Sequence, residues 1–378
     1  MAVKVCEFVQ TTFKNAGVTH YDHDGDYYSS ENLYLDQTKT RLRLAPAWSD
    51  QILLPQDWLY KHAAVFISTG YFGVYAFIGQ NYNTNSVQVF YITSLLEDDF
   101  YVKTTNVTGN VAGKAKRNAV YYNGRIYLIS TSGVWAGAHT ATTYSQLYAG
   151  NDARILAVVE NEVYLLRANG AVMRLNAAET AFEAYYTPAH PLDPQFLTHF
   201  RGYILYAASR PDGSLDIYRL NSAGISEIAS VAGSGRYLAY GSLFAVHDDN
   251  FYFSPGIQRA SELVWGGSNA DSLMLYEFNG SQIELIAETP SVSLAQEYQN
   301  FGILNWRAHL LYYDLRSQYS YNPAPQYVDM LRPNKTFSTF MPLTMVAHAG
   351  TLHVPVLHNL GGELLLIGSG TYTDENPL

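Results

Sequence analysis

The sequence holds a single cysteine, Cys6, in 378 residues. One thiol excludes an internal disulfide framework and any zinc site built on cysteines. Charge is sparse as well: Asp, Glu, Lys and Arg make up 15% of the chain against 48% apolar residues, the balance of a chain that fills a large core and not of a disordered one. Eighteen consecutive apolar residues occur nowhere, so no membrane span is expected. The opening MAVKVCEFVQTTFKNAG lacks the apolar run of a secretory signal. Without one, the Asn-X-Ser/Thr sequons at Asn106, Asn279 and Asn334 read as chance matches.

Positive charge is short too. The formal net charge is -10, and the 23 basic residues are scattered, with Lys114, Lys116 and Arg117 as their longest concentration. Phosphate backbones need clustered Lys and Arg, so no nucleic-acid partner is expected. Also missing are a Gly-x-Ser-x-Gly elbow, a His-Glu-x-x-His helix and a phosphate loop. The expectation is a protein that is not an enzyme, with no cofactor. Hardly any segment keeps apolar residues at helical spacing for three turns, which disfavours a helical solenoid.

What the chain has is a repeat. In NAVYYNGRIYLIS, Asn123-Gly124 is a strong hairpin signal, because both central residues of a type I′ turn need positive φ. The same template returns as ILAVVENEVYLL, FLTHFRGYILYA, LFAVHDDNFYFS, GILNWRAHLLYY and MVAHAGTLHVPV, aligning Ile126, Val163, Ile204, Phe251, Leu310 and Leu352. AAVFISTGYFGVYAFIG reads as an earlier copy with a looser turn around 68–71. Further strands follow each hairpin, as in LDIYRL then ISEIASV, and four strands per repeat predicts the blades of a β-propeller.

The last copy is a strand short, since only GTYTDENPL remains after GELLLIGS. Upstream, 40–44 (TRLRL) is a spare alternating strand with Leu42 and Leu44 on one face. Pairing it with 363–367 would remove an open sheet edge. The expected architecture is therefore all-β: a seven-bladed propeller over 58–378, its last blade closed by a strand from an N-terminal segment, 1–57, that ends in a Pro-rich linker.

The blades lack the Trp-Asp dipeptide of WD repeats, the Gly-Gly and Trp of kelch repeats and the boxes of sialidases. Their Tyr- and Asn-rich texture, in phrases such as YYNGRIYLIS and LYEFNGSQIELIAE, resembles virion proteins of tailed bacteriophages. LYLDQTKTRLRLAP is similar to the strand that leads into the propeller of some phage tail and surface proteins. The resemblance spans 32–369 and implies a structural component of the virion, in the tail. Its partners would be other virion or tail proteins and further copies of itself in a homo-oligomer. The alternative is a carbohydrate-binding or glycoside-cleaving propeller that meets host surface glycans.

HYDHDGDYYSS sets Asp22, Asp24 and Asp26 as in the first half of a calcium loop, but Tyr27 and Leu33 stand where an EF-hand needs Gly and Glu, so it reads as a turn before a strand. His348, His353 and His358 invite a metal, but His353 and His358 are an odd number apart and so are expected to point to opposite faces. No metal site is expected. One register, four residues before the aligned apolar position, reads Tyr122, Val159, Phe200, His247, Trp306 and His348, and is expected to pack blade on blade. The acidic groups Glu97, Asp98, Asp99 and Asp248, Asp249 fall in loops and turns, where carboxylates are commonly just solvated. Among Trp58, Trp135, Trp265 and Trp306, only Trp265, in VWGGSN, reads as an exposed platform for a sugar. Loops 256–271 and 317–327 are the expected partner contacts.

Overall fold

The computed structural model describes residues 33–35, 42–44, 51–54, 58–68, 73–81, 83–92, 100–114, 117–211, 214–221, 223–231, 244–254, 257–258, 272–288, 300–306, 309–315, 326–331, 335–343, 353–360 and 363–369. Every regular element among them is a β-strand. The chain is all-β and is built mainly of four-stranded antiparallel sheets, each a meander of consecutive strands.

In chain order, sheet one comprises Trp58–Ser68, Gly73–Asn81, Val87–Ile92 and Phe100–Thr104. Sheet two comprises Ala119–Tyr122, Arg125–Ser130, Gly133–Ala138 and Ser145–Ala149. Sheet three follows with Ala153–Val159, Glu162–Arg167, Val172–Leu175 and Phe182–Tyr186. Sheet four has Asp193–Phe200, Tyr203–Ser209, Leu215–Asn221 and Gly224–Val231. Sheet five has Phe244–His247, Asn250–Phe253, Ser272–Phe278 and Ile283–Glu288, with the short Ile257–Gln258 added. Sheet six has Asn300–Trp306, His309–Leu315, Gln326–Leu331 and Phe337–Leu343. Sheet seven joins His353–Leu360 and Glu363–Ser369 to Gln51–Leu54, from near the other end of the chain.

The predicted hairpins form where the turn chemistry placed them. Tyr122 lies opposite Arg125, Val159 opposite Glu162, Phe200 opposite Tyr203, His247 opposite Asn250 and Trp306 opposite His309, so two residues separate the strands in each of these five hairpins, against four in sheet one, where Ser68 lies opposite Gly73. Asn123-Gly124, Glu160-Asn161, Arg201-Gly202 and Asp248-Asp249 all adopt positive φ at both positions. That is the type I′ geometry, whose twist matches the strands it joins. The aligned residues Ile126, Val163, Ile204, Phe251 and Leu310 are all buried.

Both faces of these sheets are covered, which explains why their strands read as continuous apolar runs. In sheet two, Ile126 and Leu128 pack against sheet one, whereas Tyr127 and Ile129 pack against sheet three. In sheet three, Val163 and Leu165 face back to sheet two and Tyr164 and Leu166 face sheet four. Leu205 and Ala207 of sheet four then join sheet five and Ile303, Leu310 and Tyr312 of sheet six in one cluster. Each fully buried aliphatic chain of this kind contributes about 1.5–3 kcal/mol. The core is thus a series of layers between successive sheets.

The first strands also meet one another. Trp58–Ser68 packs beside Ala119–Tyr122, that strand beside Ala153–Val159, and that one beside Asp193–Phe200. The Phe196 and Phe244 rings, stacked 5.5 Å apart, carry the contact from sheet four to sheet five. Phe244–His247 then packs beside Asn300–Trp306, that strand beside His353–Leu360, and that one beside Trp58–Ser68.

Two expectations about the chain ends need correction. Leu42–Leu44 does not pair with the strand at 363–369; it forms a local two-stranded hairpin with Leu33–Leu35. The partner of Glu363–Ser369 is Gln51–Leu54, running parallel, with Ile52 opposite Ile367 and Leu53 opposite Gly368. The stretch read as linker therefore contains the pairing strand. The expected turn inside MVAHAGTLHVPV, with Leu352, lies outside the described residues, and the described hairpin of sheet seven sets Leu360 opposite Glu363.

Candidate functional site

The described first turns share one end of the sheets, and side chains there tie neighbouring sheets together from sheet one to sheet six. The Tyr122 hydroxyl donates to the Asn161 carbonyl at 2.6 Å. Asn123 and Arg125 reach Glu179, in the third turn of sheet three, through its carboxylate at 2.6 Å and its carbonyl at 3.0 Å. Glu160 lies 3.4 Å from Nε2 of His199. Arg201 donates to the Asp249 carbonyl at 2.8 Å and to Asn250 Oδ1 at 3.3 Å. Asn305 donates to the Val246 carbonyl, linking sheet six to sheet five. On the sheet-one side, the Tyr91 hydroxyl donates to the His139 carbonyl at 2.7 Å and Lys103 to that of Thr140 at 2.6 Å.

Asparagines at the ends of third strands order the remaining turns at this end. Asn176 Oδ1 accepts from the Thr180 amide, Asn221 Oδ1 from that of Ala223, and Asn279 Oδ1 from those of Ser281 and Gln282. The side-chain carbonyl stands in for a backbone acceptor, as in an Asx turn. The signal was present in RLNAA, RLNSA and EFNGS, and sequence reasoning passed over it.

The second constellation sits at the opposite end of the first strands, where the connection from sheet one to sheet two reaches sheets three, four and five. Lys114 Nζ donates to Asp193 Oδ2 at 3.2 Å and to the buried Gln195 Oε1 at 2.8 Å. The Arg117 guanidinium stands 4.0 Å above the Phe196 ring and 5.7 Å from that of Phe244. Phe196 is itself stacked on Phe244 and Phe251. Three backbone hydrogen bonds fix the connection: Lys114 N to Arg154 O, Arg117 N to Lys114 O and Leu156 N to Arg117 O. Burial pushes the Lys114 pKa down, Asp193 opposes this, and the positive charges of Arg117 and Arg154 add to it. A lysine so placed, among like charges, marks a candidate binding point.

The residues singled out from the sequence fall differently. Asp248 and Asp249 form the first turn of sheet five, Asp248 with its carboxylate in solvent and Asp249 accepting from Arg201 through its carbonyl. In the packing register, Val159 and Phe200 are buried, and His247 is largely buried beside the Tyr252 ring. Trp135 is buried and donates its indole N–H to Ser132 Oγ at 3.1 Å, so it offers no sugar platform. Trp58 and Trp306 lie on first strands, whereas Trp265 lies outside the described residues. So do Asp22, Asp24, Asp26, Glu97, Asp98, Asp99, Lys116, His348 and loops 256–271 and 317–327, apart from Ile257–Gln258 and residues 326–327, which open the strand Gln326–Leu331. His353 and His358 share one strand, but its register shifts between His353 and Val356, so simple alternation does not apply across that span. The parity argument against a metal fails there.

Among the described residues one carboxylate is completely buried. Asp216 accepts from the Tyr218 hydroxyl at 2.8 Å and the Ser230 hydroxyl at 2.6 Å, and pairs with Arg210, which also holds Glu227. These contacts join the third strand of sheet four to its fourth and to Arg210.

No protein-family model and no curated protein matches this sequence. Three solved structures illustrate what the fold is similar to. The WD40 domain from Toxoplasma gondii coronin matches at TM-score 0.48 with 11% identity, over 87% of this chain and 86% of that one. The N-terminal domain of Nup159 matches at 0.44 with 11% identity, over 84% and 90%. An oligogalacturonate lyase from Vibrio parahaemolyticus matches at 0.41 with 9% identity, over 77% and 74%.

Proposed function

We propose that this chain is a seven-bladed β-propeller, closed by Gln51–Leu54, that serves as a rigid, non-catalytic protein–protein interaction block in the tail of a bacteriophage virion. Support for the ring comes from the order in which first strands meet, ending with His353–Leu360 beside Trp58–Ser68. A propeller leaves only short, protected sheet edges, and its loops vary without disturbing the core. The observation that carries the role is the turn end, where successive sheets are tied by side chains to neighbouring backbone, as Arg201 is to Asp249. Such an end presents a fixed surface to neighbouring copies and other tail proteins in a symmetric homo-oligomer. Mass spectrometry and electron microscopy of purified particles test this. The protein should be an integral particle component; its absence there, or turnover of a polysaccharide by the isolated chain, overturns the proposal.

One observation favours the reading in which the propeller binds host glycans. Tyr101, on the last strand of sheet one, is 41% exposed and stacks on Tyr91 at 4.8 Å. A supported, exposed ring is a platform for a sugar face. Under this reading, binding to a glycan array is lost in Tyr101→Ala.

A further inference from the structure

We propose that the outer edge of Phe100–Thr104, the fourth strand of sheet one, pairs antiparallel with the same strand of a second copy of this chain, so that two sheets become one. This contact rests on the virion reading, in which copies of the chain assemble. An outer strand carries a row of backbone N–H and C=O groups that can template another strand, and bulges are one device that blunts such an edge. In each of sheets two to six the pairing of the third strand with the fourth shifts register once, as between Ile217 and Tyr218 in sheet four and between Leu275 and Tyr276 in sheet five. In sheet one it runs unbroken, from Gln88 opposite Thr104 to Ile92 opposite Phe100.

Exposure singles out the same strand. Among the described residues, the large apolar side chains more than two-fifths exposed are Tyr101, Val102, Val158 and Leu285, and the first two are neighbours on Phe100–Thr104. Successive residues of a strand face opposite ways, so this edge is apolar on both faces. Its sequence, FYVKT, also suits pairing with itself. A two-fold axis at Val102 sets Val102 opposite the partner's Val102 and Tyr101 opposite the partner's Lys103, with no like charges facing each other. The match of cation to ring is one the strand already makes, since Lys103 Nζ stands 5.4 Å from the centres of the Tyr91 and Tyr101 rings. Lysine has three donors, and the Thr140 carbonyl takes one. Stacking on Tyr91 at 4.8 Å holds the Tyr101 ring in place for the contact.

A short strand pair makes a small interface, of the weak class below about 1,200 Å², so sedimentation equilibrium of the full chain at high concentration reads it. Self-association is expected, weakened tenfold or more in Val102→Lys, which sets two ammonium groups opposite each other and leaves the melting temperature close to that of wild type. With Cys6→Ser to remove the natural thiol, mild oxidation should trap Val102→Cys as a covalent dimer, because directly opposed residues lie within disulfide reach. Leu285→Cys, similarly exposed but on the bulged fourth strand of sheet five, should give none. A chain that is monomeric at every concentration overturns the contact, as does an assembly that survives Val102→Lys or an equal yield of dimer from Leu285→Cys. The particle measurements judge the virion reading separately: a chain present in the particle whose Val102→Cys variant forms no dimer keeps that reading and loses this contact.

Discussion

The hydroxyl of Tyr122 and the carbonyl of Asn161, 2.6 Å apart, join the first turn of sheet two to the first turn of sheet three. Tyr122 ends the strand before a type I′ turn, and Asn161 is the second residue of the next such turn. The bond exists because both turns are two residues long and the strands beside them pack in register. Tyr122→Phe keeps the ring and removes the bond, at about 1 kcal/mol. Arg201→Met removes a charged donor and should cost more, about 1.5–3 kcal/mol. Chemical denaturation of the two variants should rank them in that order.

Two glycines separate conformational strain from steric conflict. Gly124 has φ +78 with nothing within 4 Å of a built Cβ, so Gly124→Ala should cost only the left-handed penalty, roughly 1–2 kcal/mol. At Gly133, φ is +139 and a Cβ would overlap the carbonyl oxygen of Tyr148 on the adjacent strand. Gly133→Ala should therefore be much more damaging, read as a larger drop in melting temperature or loss of soluble protein.

Asp216 is buried with Arg210, Tyr218 and Ser230 around it. Asp216→Ala leaves the Tyr218 and Ser230 hydroxyls without their acceptor, while the exposed Arg210 keeps Glu227, and orphaning such part-buried polar groups costs about 1–3 kcal/mol. Glu227→Ala, on an exposed carboxylate bonded to the same Arg210, should cost about 1 kcal/mol or less. Urea midpoints should show the gap, and equal effects would contradict the structural role given to Asp216.

Acid sensitivity follows from His309. Burial, and next the charge of His247, hold its pKa below the ordinary 6.5. As pH falls through that ordinary value the unfolded chain takes up the proton first, so this contribution to stability is intact above it and is lost below. His309→Gln should flatten the loss of stability between about pH 7 and pH 5, a window set by the direction of the shift. A slope identical to that of wild type would contradict this.

Much of the fold was legible because its signals are local. Asn123-Gly124 announces its turn, and the aligned Ile126, Val163 and Ile204 are buried as the template requires. The partner of the last strand was not legible. Leu42 and Leu44 alternate as a half-exposed strand should, but a partner nearby in sequence, Leu33–Leu35, satisfies that pattern. Gln51–Leu54 hid beside prolines, and nothing local distinguishes a parallel partner 315 residues away, as Ile52 is from Ile367. The cationic group was half legible: Lys114 and Arg117 stood out as a basic concentration, but Arg154, Asp193 and Gln195 reach them only through the fold.

Closure of the ring is tested most directly by a disulfide across the two chain ends. With Cys6→Ser to remove the natural thiol, Ile52→Cys and Ile367→Cys place cysteines on residues that lie opposite each other in the parallel pair. Mild oxidation followed by proteolysis and mass spectrometry should recover one intramolecular cross-linked peptide from this pair, and none from Leu42→Cys with Ile367→Cys. A cross-link from the Leu42 pair but not from the Ile52 pair would contradict the closure proposed here.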